Sequence, residues 1–166
     1  MLTTIEQFPL HRNKVLKRFV TGMFGWFFLS LLLAYALMSV MHFDISITLL
    51  VILIFLIILG AWQWFYENKY FESYFYDADA DFLKIRKDWI TPRETIIPYE
   101  KLQDVYMDQD LFDRLFGLWD VHVSTATVMS GMEAHIDGID HENANRIRAL
   151  LLEKITGKKH KVTGYD

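Results

Sequence analysis

Two apolar stretches decide the fold of this chain: residues 19–41, FVTGMFGWFFLSLLLAYALMSVM, and residues 45–66, ISITLLVILIFLIILGAWQWFY. Neither contains a charged side chain. A helix rises about 1.5 Å per residue, so each stretch covers roughly 33 Å, enough to cross a hydrocarbon core of about 30 Å. We therefore predict a hairpin of two transmembrane helices, joined by the three residues 42–44.

Two alternative structures for these stretches agree less well with the sequence. The first is a buried helical hairpin in a soluble protein, but a chain of 166 residues has no second layer able to cover two such helices. The second is a cleaved signal peptide. The first stretch exceeds the roughly 7 to 15 apolar residues of such peptides, and it lacks a small-residue cleavage site. We therefore expect both helices to be retained.

The charges that flank the hairpin predict its orientation. The turn at 42–44 contains no basic residue, whereas four precede the first helix: Arg12, Lys14, Lys17 and Arg18. Because basic residues are enriched on the cytoplasmic side, the N-terminus should be cytoplasmic. The short turn returns the second helix to the same side, so we expect both termini in the cytoplasm.

Aromatic residues gather where the second helix should leave the bilayer, at Trp62, Trp64 and Tyr66. Such rings favour the headgroup level, so we predict that they anchor the protein together with the four basic residues. Residues 8–18 could form an amphipathic helix at the membrane surface. A charge cluster that only sets the orientation is the preferred interpretation.

The chain after the hairpin is acidic. Residues 67–166 contain thirteen Lys and Arg against nineteen Asp and Glu, a net charge of -6, whereas residues 1–18 carry +3. An acidic domain argues against nucleic acid as a partner. Cysteine is absent, which excludes disulfides and thiolate metal sites. The predicted organisation is a basic cytoplasmic juxtamembrane segment at 1–18, the hairpin at 19–66, a cytoplasmic domain at 67–157 and a flexible tail at 158–166.

Short strands dominate this domain. At 81–87, two apolar residues alternate with Lys84 and Arg86, as in a half-buried strand. Further strands are predicted at 70–76, 89–97, 102–107, 121–125 and 132–136. A helical turn at 111–116 ends at Gly117, and a final helix at 140–156 has Asp140 as N-cap and Gly157 as C-cap. This order predicts an α+β domain, in which an antiparallel sheet or partly open barrel is closed by the C-terminal helix.

Four motifs carry a resemblance to a known family: IPY at 97–99, LQDV at 102–105, RLFG at 114–117 and STA at 124–126. With them, residues 97–127 closely resemble the core of bacterial PH-like domains attached to paired membrane helices, in particular the YdbS-like group of the bPH2 type. The likeness covers about residues 15–156. It implies a PH-like fold and a place in the bacterial cytoplasmic membrane. It supplies no ligand and no catalytic residue.

Candidate chemical groups are few. If the last hairpin pairs symmetrically, His122 lies opposite His135 and Ser124 opposite Glu133, and such a group could hold zinc. A slip of one residue would separate the histidines, so the preferred interpretation is that they face solvent without a metal. No nucleophile with a neighbouring base and no phosphate-binding loop is recognisable. We therefore expect no catalytic residue and no cofactor.

These features suggest a non-enzymatic interaction or scaffold module, tethered to the membrane, whose sheet edge or loops bind a protein partner or a second copy. One alternative is recognition of anionic lipid headgroups, for which Arg114, Lys84 and Arg86 are the candidate contacts. For Arg114, an internal ion pair or a contact with a carbonyl group is the preferred interpretation. A further alternative is an accessory subunit or regulator of a membrane transport or stress-response complex.

Overall fold

The structure is a computed structural model that describes the backbone of residues 3–125 and 134–163. Its helices are α1 (Thr4–Gln7), α2 (Asn13–Ser39), α3 (Ile45–Ser73), α4 (Leu111–Phe116) and α5 (His141–Thr163). Its strands are β1 (Phe75–Ala78), β2 (Phe82–Lys87), β3 (Arg93–Pro98), β4 (Leu102–Asp108), β5 (Trp119–Thr125) and β6 (Ala134–Ile139). The chain divides into a helical unit, residues 15–71, and a second unit made of residues 1–14 and 72–166.

The helical unit contains the predicted hairpin. Both α2 and α3 are long and apolar enough to cross a membrane. In the most apolar 18-residue segment of each helix, only 11% of α2 and 6% of α3 is buried, whereas a core helix of a soluble protein is mostly buried. The prediction of a hairpin is confirmed, and both helices are candidates for spanning a membrane.

The second unit is built from two antiparallel sheets, in the orders β1-β2-β3 and β4-β5-β6. As predicted, β2 buries Leu83 and Ile85 and directs Lys84 and Arg86 away from the core. Helix α5 begins after Asp140, whose carboxylate accepts a hydrogen bond from the Asn143 amide, and packs on the sheets. Its apolar stripe is fully or almost fully buried, at Ala144, Ile147, Leu151 and Ile155. The predicted α+β architecture is therefore confirmed.

The predicted strand at 70–76 is wrong over its first half, because α3 continues through it and β1 begins afterwards. Glu67 and Tyr70 of α3 both contact Arg18 of α2, Glu67 through an ion pair and Tyr70 through its ring, 4.0 Å from the guanidinium carbon. Residues three apart share a face only in a helix. These contacts within the helical unit therefore outweigh the local alternation.

Two more boundaries differ from the prediction. Residues 88–92 form a turn, in which the Asp88 carboxylate accepts hydrogen bonds from the amides of Trp89 and Ile90, so β3 begins only at Arg93. Gly157 does not end α5, which continues to Thr163, since a helix tolerates an internal glycine at a cost of about 1 kcal/mol. The predicted start of the last strand, at 132 and 133, lies outside the described residues.

Candidate functional site

Within the second unit, the N-terminal segment packs on the rest of the domain. The amide and the hydroxyl of Thr4 each donate to Asp77 Oδ1 at 2.8 Å. Tyr76, which is fully buried, donates its hydroxyl hydrogen bond to the carbonyl of Phe8. The amide of His11 donates to the carbonyl of Gly138 at 2.9 Å. A surface helix over 8–18 is therefore wrong: the residues before Asn13 form hydrogen bonds with the domain, and α2 begins only there.

Four polar residues converge where this segment meets the sheets, and we call Lys14, Tyr74, Lys87 and Asp137 the junction cluster. Lys14 Nζ lies 2.9 Å from Asp137 Oδ2 and 3.0 Å from the Asp137 carbonyl oxygen. Lys87 Nζ lies 3.0 Å from Asp137 Oδ1, and the Tyr74 hydroxyl donates to the same oxygen at 2.8 Å. Lys14 Nζ also lies 3.5 Å from the centroid of the Tyr74 ring. Asp137 thus accepts from three side chains.

The electrostatics of the cluster favour the charged form of Asp137. Burial alone would raise the pKa of Asp137, but the charges of Lys14 and Lys87 and the Lys14 hydrogen bond outweigh it. The pKa of Asp137 therefore lies well below its ordinary value. Lys14 is only 2% exposed, so its ammonium group depends on these partners in place of water.

Gly138 makes room for the Lys14 side chain. Its φ of +80° is rarely adopted by other residues, and a Cβ atom there would lie 2.6 to 2.8 Å from Lys14 side-chain carbons. Its amide donates to Asp120 Oδ1 at 2.8 Å. Sequence reasoning missed this glycine and its neighbour Asp137, because nothing local relates them to Lys14.

The position of the cluster along the chain suggests its role. Lys14 is the second residue of α2, and Tyr74 directly follows α3, so the two residues lie just outside the ends of the helical unit. Both bind Asp137 of β6. The chain that enters the helical unit and the chain that leaves it are therefore attached to one carboxylate of the second unit.

The outer face of the second sheet carries a row of three rings, Tyr106, His122 and His135. The centroids of Tyr106 and His122 are 5.0 Å apart, and those of His122 and His135 are 5.4 Å apart, with the rings stacked in both cases. The strand register places the three residues opposite one another, so His122 pairs with His135, as a symmetric hairpin requires. Glu133, the predicted third member, lies outside the described residues.

Carboxylates surround this row. Asp108 Oδ1 lies 3.0 Å from His122 Nε2, and the ligand atoms of Asp108, Asp120 and His122 all lie within 4.8 Å of one another, close enough to hold a cation. Asp120 already accepts from the Gly138 amide. His135 lies 3.8 Å from a carboxylate oxygen of Asp137. Protein contacts therefore account for this arrangement, and we assign no metal to it.

The predicted headgroup contacts lie on two elements, Lys84 and Arg86 on β2 and Arg114 on α4. Lys84 forms an ion pair with Glu94 at 3.1 Å, and the Arg86 guanidinium lies 5.5 Å from the centroid of the Phe75 ring, both on the first sheet. Arg114 is exposed on α4. Within the described residues, its guanidinium has neither an ion pair nor a hydrogen bond. The structure thus does not gather the three cations into one pocket.

The predicted anchoring residues also have different environments. Lys14 belongs to the junction cluster, and Arg18 pairs with the buried Glu67 within the helical unit. The remaining basic residues, Arg12 and Lys17, are exposed and half-buried. Among the aromatic residues, Trp62 and Trp64 are exposed and Tyr66 is half-buried. Their role at the membrane stays a prediction.

Comparison with known proteins relates most of the chain to one family. A family model described as Bacterial PH domain matches residues 20–155, which include most of α2, all of α3 and all six strands. Neither a curated protein nor a solved structure matches the chain.

Proposed function

The chain belongs to the bacterial PH domain family, and on that premise we propose that it is a non-enzymatic interaction module held at the cytoplasmic face of the bacterial membrane. Two exposed apolar helices support the attachment to a membrane. In the junction cluster, one carboxylate of the second unit binds the residues that precede and follow the helical unit, Lys14 and Tyr74. On this proposal the domain binds a protein partner close to the membrane.

The open outer face of the second sheet carries this proposal. Tyr106 is 38% exposed although its ring stacks on His122, and the exposed carboxylates Asp104 and Asp108 lie on the same strand. Tyrosine is enriched among the residues that dominate binding at protein interfaces. Carboxylates beside it would attract a basic segment of the partner. We therefore propose a basic protein segment as the ligand.

Headgroup recognition has less support, because Glu94 neutralises Lys84 and because Arg114 lies on α4 whereas Arg86 lies on β2. A role in a transport or stress-response complex is a special case of the proposal, in which the partner is a membrane complex. Attachment to the same membrane would raise the effective concentration of such a partner.

Photo-crosslinking in native membranes tests the partner. A photoreactive phenylalanine analogue in place of Tyr106 should give a discrete protein adduct, because this ring would lie in the interface. The same analogue in place of Arg148, exposed on α5, is the matched control. Combining Asp104→Lys and Asp108→Lys should abolish the adduct. Equal labelling at both positions, or adducts with lipid alone, would contradict the proposed interface.

The orientation can be tested separately, because the chain has no native cysteine. Phe43→Cys, in the turn between the helices, should react with a membrane-impermeant maleimide in intact cells. Arg148→Cys should react only after the cells are opened, since the domain would be cytoplasmic. The reverse pattern would invert the orientation.

A further inference from the structure

Helix α4 presents two leucines to solvent. Leu111 is 79% and Leu115 is 74% exposed, and their spacing of four residues places them on one side of the helix. The two phenylalanines of the same helix, Phe112 and Phe116, are half-buried. Single exposed leucines are common on protein surfaces, but an adjacent pair on a six-residue helix forms a small apolar ridge.

The ridge is held rigidly. The Asp110 carboxylate caps α4 by accepting a hydrogen bond from the Asp113 amide at 2.6 Å. Gly117 ends the helix with a φ of +69°, and the amide of Leu118 donates to the Asp113 carbonyl at 2.8 Å. The leucines are therefore displayed by a fixed element.

Helix α4 is also attached to the chain close to the first apolar stretch. The side-chain amide of Asn13 donates to the carbonyl of Phe116 at 2.9 Å. Asn13 is the first residue of α2, and the apolar stretch begins six residues later, at Phe19. Even a fully extended segment of six residues spans at most about 20 Å. The chain between the residue that binds α4 and the start of the apolar stretch is therefore a short tether.

We propose that α4 contacts the bilayer directly, with Leu111 and Leu115 inserted shallowly at the membrane surface. This inference rests on the proposed membrane attachment. Arg114 is exposed between the leucines, and its long side chain could reach the phosphate level while they enter the apolar region. Asp110 is also exposed and would be repelled by anionic lipid. The leucines should therefore drive insertion, with little dependence on anionic lipid.

A bilayer suits this ridge better than a protein does. A stable protein interface covers about 800 Å² on each partner, far more than two leucine side chains supply. Insertion into a bilayer has no such minimum, because its free energy grows with the apolar area removed from water. The short tether keeps the ridge near the surface, so even a small patch would be occupied.

Bromolipid quenching tests this contact on the full chain. Leu115→Cys, labelled with a polarity-sensitive fluorophore, is reconstituted in phosphatidylcholine vesicles with brominated acyl chains, with and without phosphatidylglycerol. We expect quenching several-fold stronger than at Leu152→Cys in both lipid mixtures. Leu152 is an exposed leucine on α5, two residues from Lys154, whose ammonium lies over Tyr99. Tyr99 precedes one end of β4, and α4 follows the other end. The seven residues of this strand span roughly 24 Å, so Leu152 is a control position remote from α4.

A label at Leu32→Cys, within the first apolar stretch, reports membrane attachment itself. If the label at position 32 is quenched but the label at position 115 is quenched no more strongly than the label at position 152, the α4 contact is overturned. The membrane attachment would remain intact. Absence of quenching at position 32 would overturn the attachment. An unquenched label at position 115 whose emission shifts to the red when the protein is diluted in lipid would assign the ridge to a second copy and overturn the proposal.

A second substitution separates insertion from misfolding. Leu111→Ser, added to the labelled Leu115→Cys chain, should weaken the quenching, because it removes half of the ridge. Its melting temperature should not change, since Leu111 makes little contact with the core. Unchanged quenching with unchanged melting would overturn the role of the leucine pair.

Discussion

Replacing Asp137 by alanine should lower the free energy of unfolding by about 3–5 kcal/mol, because it leaves a buried cation without its partner. Lys14 is 2% exposed and would lose both its ion pair and the charge that offsets its burial. Denaturation of the detergent-solubilised full chain measures the effect. Asp108→Ala is the matched control: this exposed carboxylate also contacts a basic side chain, with Oδ1 3.0 Å from His122 Nε2, and its loss should cost at most about 1 kcal/mol. Equal losses in the two variants would contradict a stabilising role for the junction cluster.

A double substitution separates the loss of attraction from the cost of an unpaired charge. Replacing both members of a buried pair by apolar residues of similar size is often nearly neutral. Lys14→Met combined with Asp137→Leu should therefore recover most of the stability that Asp137→Ala loses. Lys87 is less buried than Lys14 and can extend its ammonium towards water in the double variant.

The same prediction has a pH dependence. The folded-state pKa of Asp137 is depressed, so its contribution to stability is present above the unfolded-state value, about 3.9 for an aspartate. The contribution is lost as the pH falls from there through the folded-state pKa. Asp137→Asn should therefore lose less stability than the natural chain on acidification below about pH 4. Unfolding at a series of pH values measures the difference.

Gly138→Ala should lower the free energy of unfolding by about 2–4 kcal/mol, from backbone strain at positive φ together with crowding of Lys14. The added Cβ would lie within 2.8 Å of three Lys14 carbons, so the cluster would have to shift. Denaturation of the full chain again provides the measurement.

Substitutions at Gly117 and Gly157 separate the effect of backbone strain from the effect of crowding Lys14. Gly117 has a similar positive φ, but a Cβ atom added there would meet no neighbouring atom within 4 Å, so Gly117→Ala should show the strain alone. Gly157 lies inside α5 with equal space, and Gly157→Ala should be neutral or stabilise by up to about 1 kcal/mol. A loss at Gly138 no larger than at Gly117 would exclude a contribution from the Lys14 contact.

Local patterns predicted the fold well wherever the structure of an element depends on its own residues and its immediate neighbours in the chain. Leu83 and Ile85 alternate with charged residues and form a strand, and Asp140 caps the helix that follows it. The same patterns failed where distant contacts decide. The alternation at 70–76 resembles a strand, yet Arg18 holds the helix that occupies its first half.

The candidate sites were less predictable than the fold. The sequence left the pairing of His122 with His135 open, because a slip of one residue would have separated them, and the structure has the symmetric register. Lys14 was expected at the membrane surface because its charge lies beside an apolar helix. The structure buries it against Asp137, whose carboxylate and carbonyl oxygens take the place of water around the ammonium group.

The sequence by itself determined the two apolar helices, the strands with clear alternation and the closing helix, because each depends on residues a few positions apart. Only the tertiary structure decided the junction cluster and the exposed ridge on α4. Lys14 and Asp137 are separated by 123 positions, and no periodic pattern relates residues so far apart. Whether Leu111 and Leu115 face the core or solvent likewise depends on how α4 packs, because its two charged residues, Asp113 and Arg114, are adjacent and only Arg114 is exposed, so they do not mark an outer side.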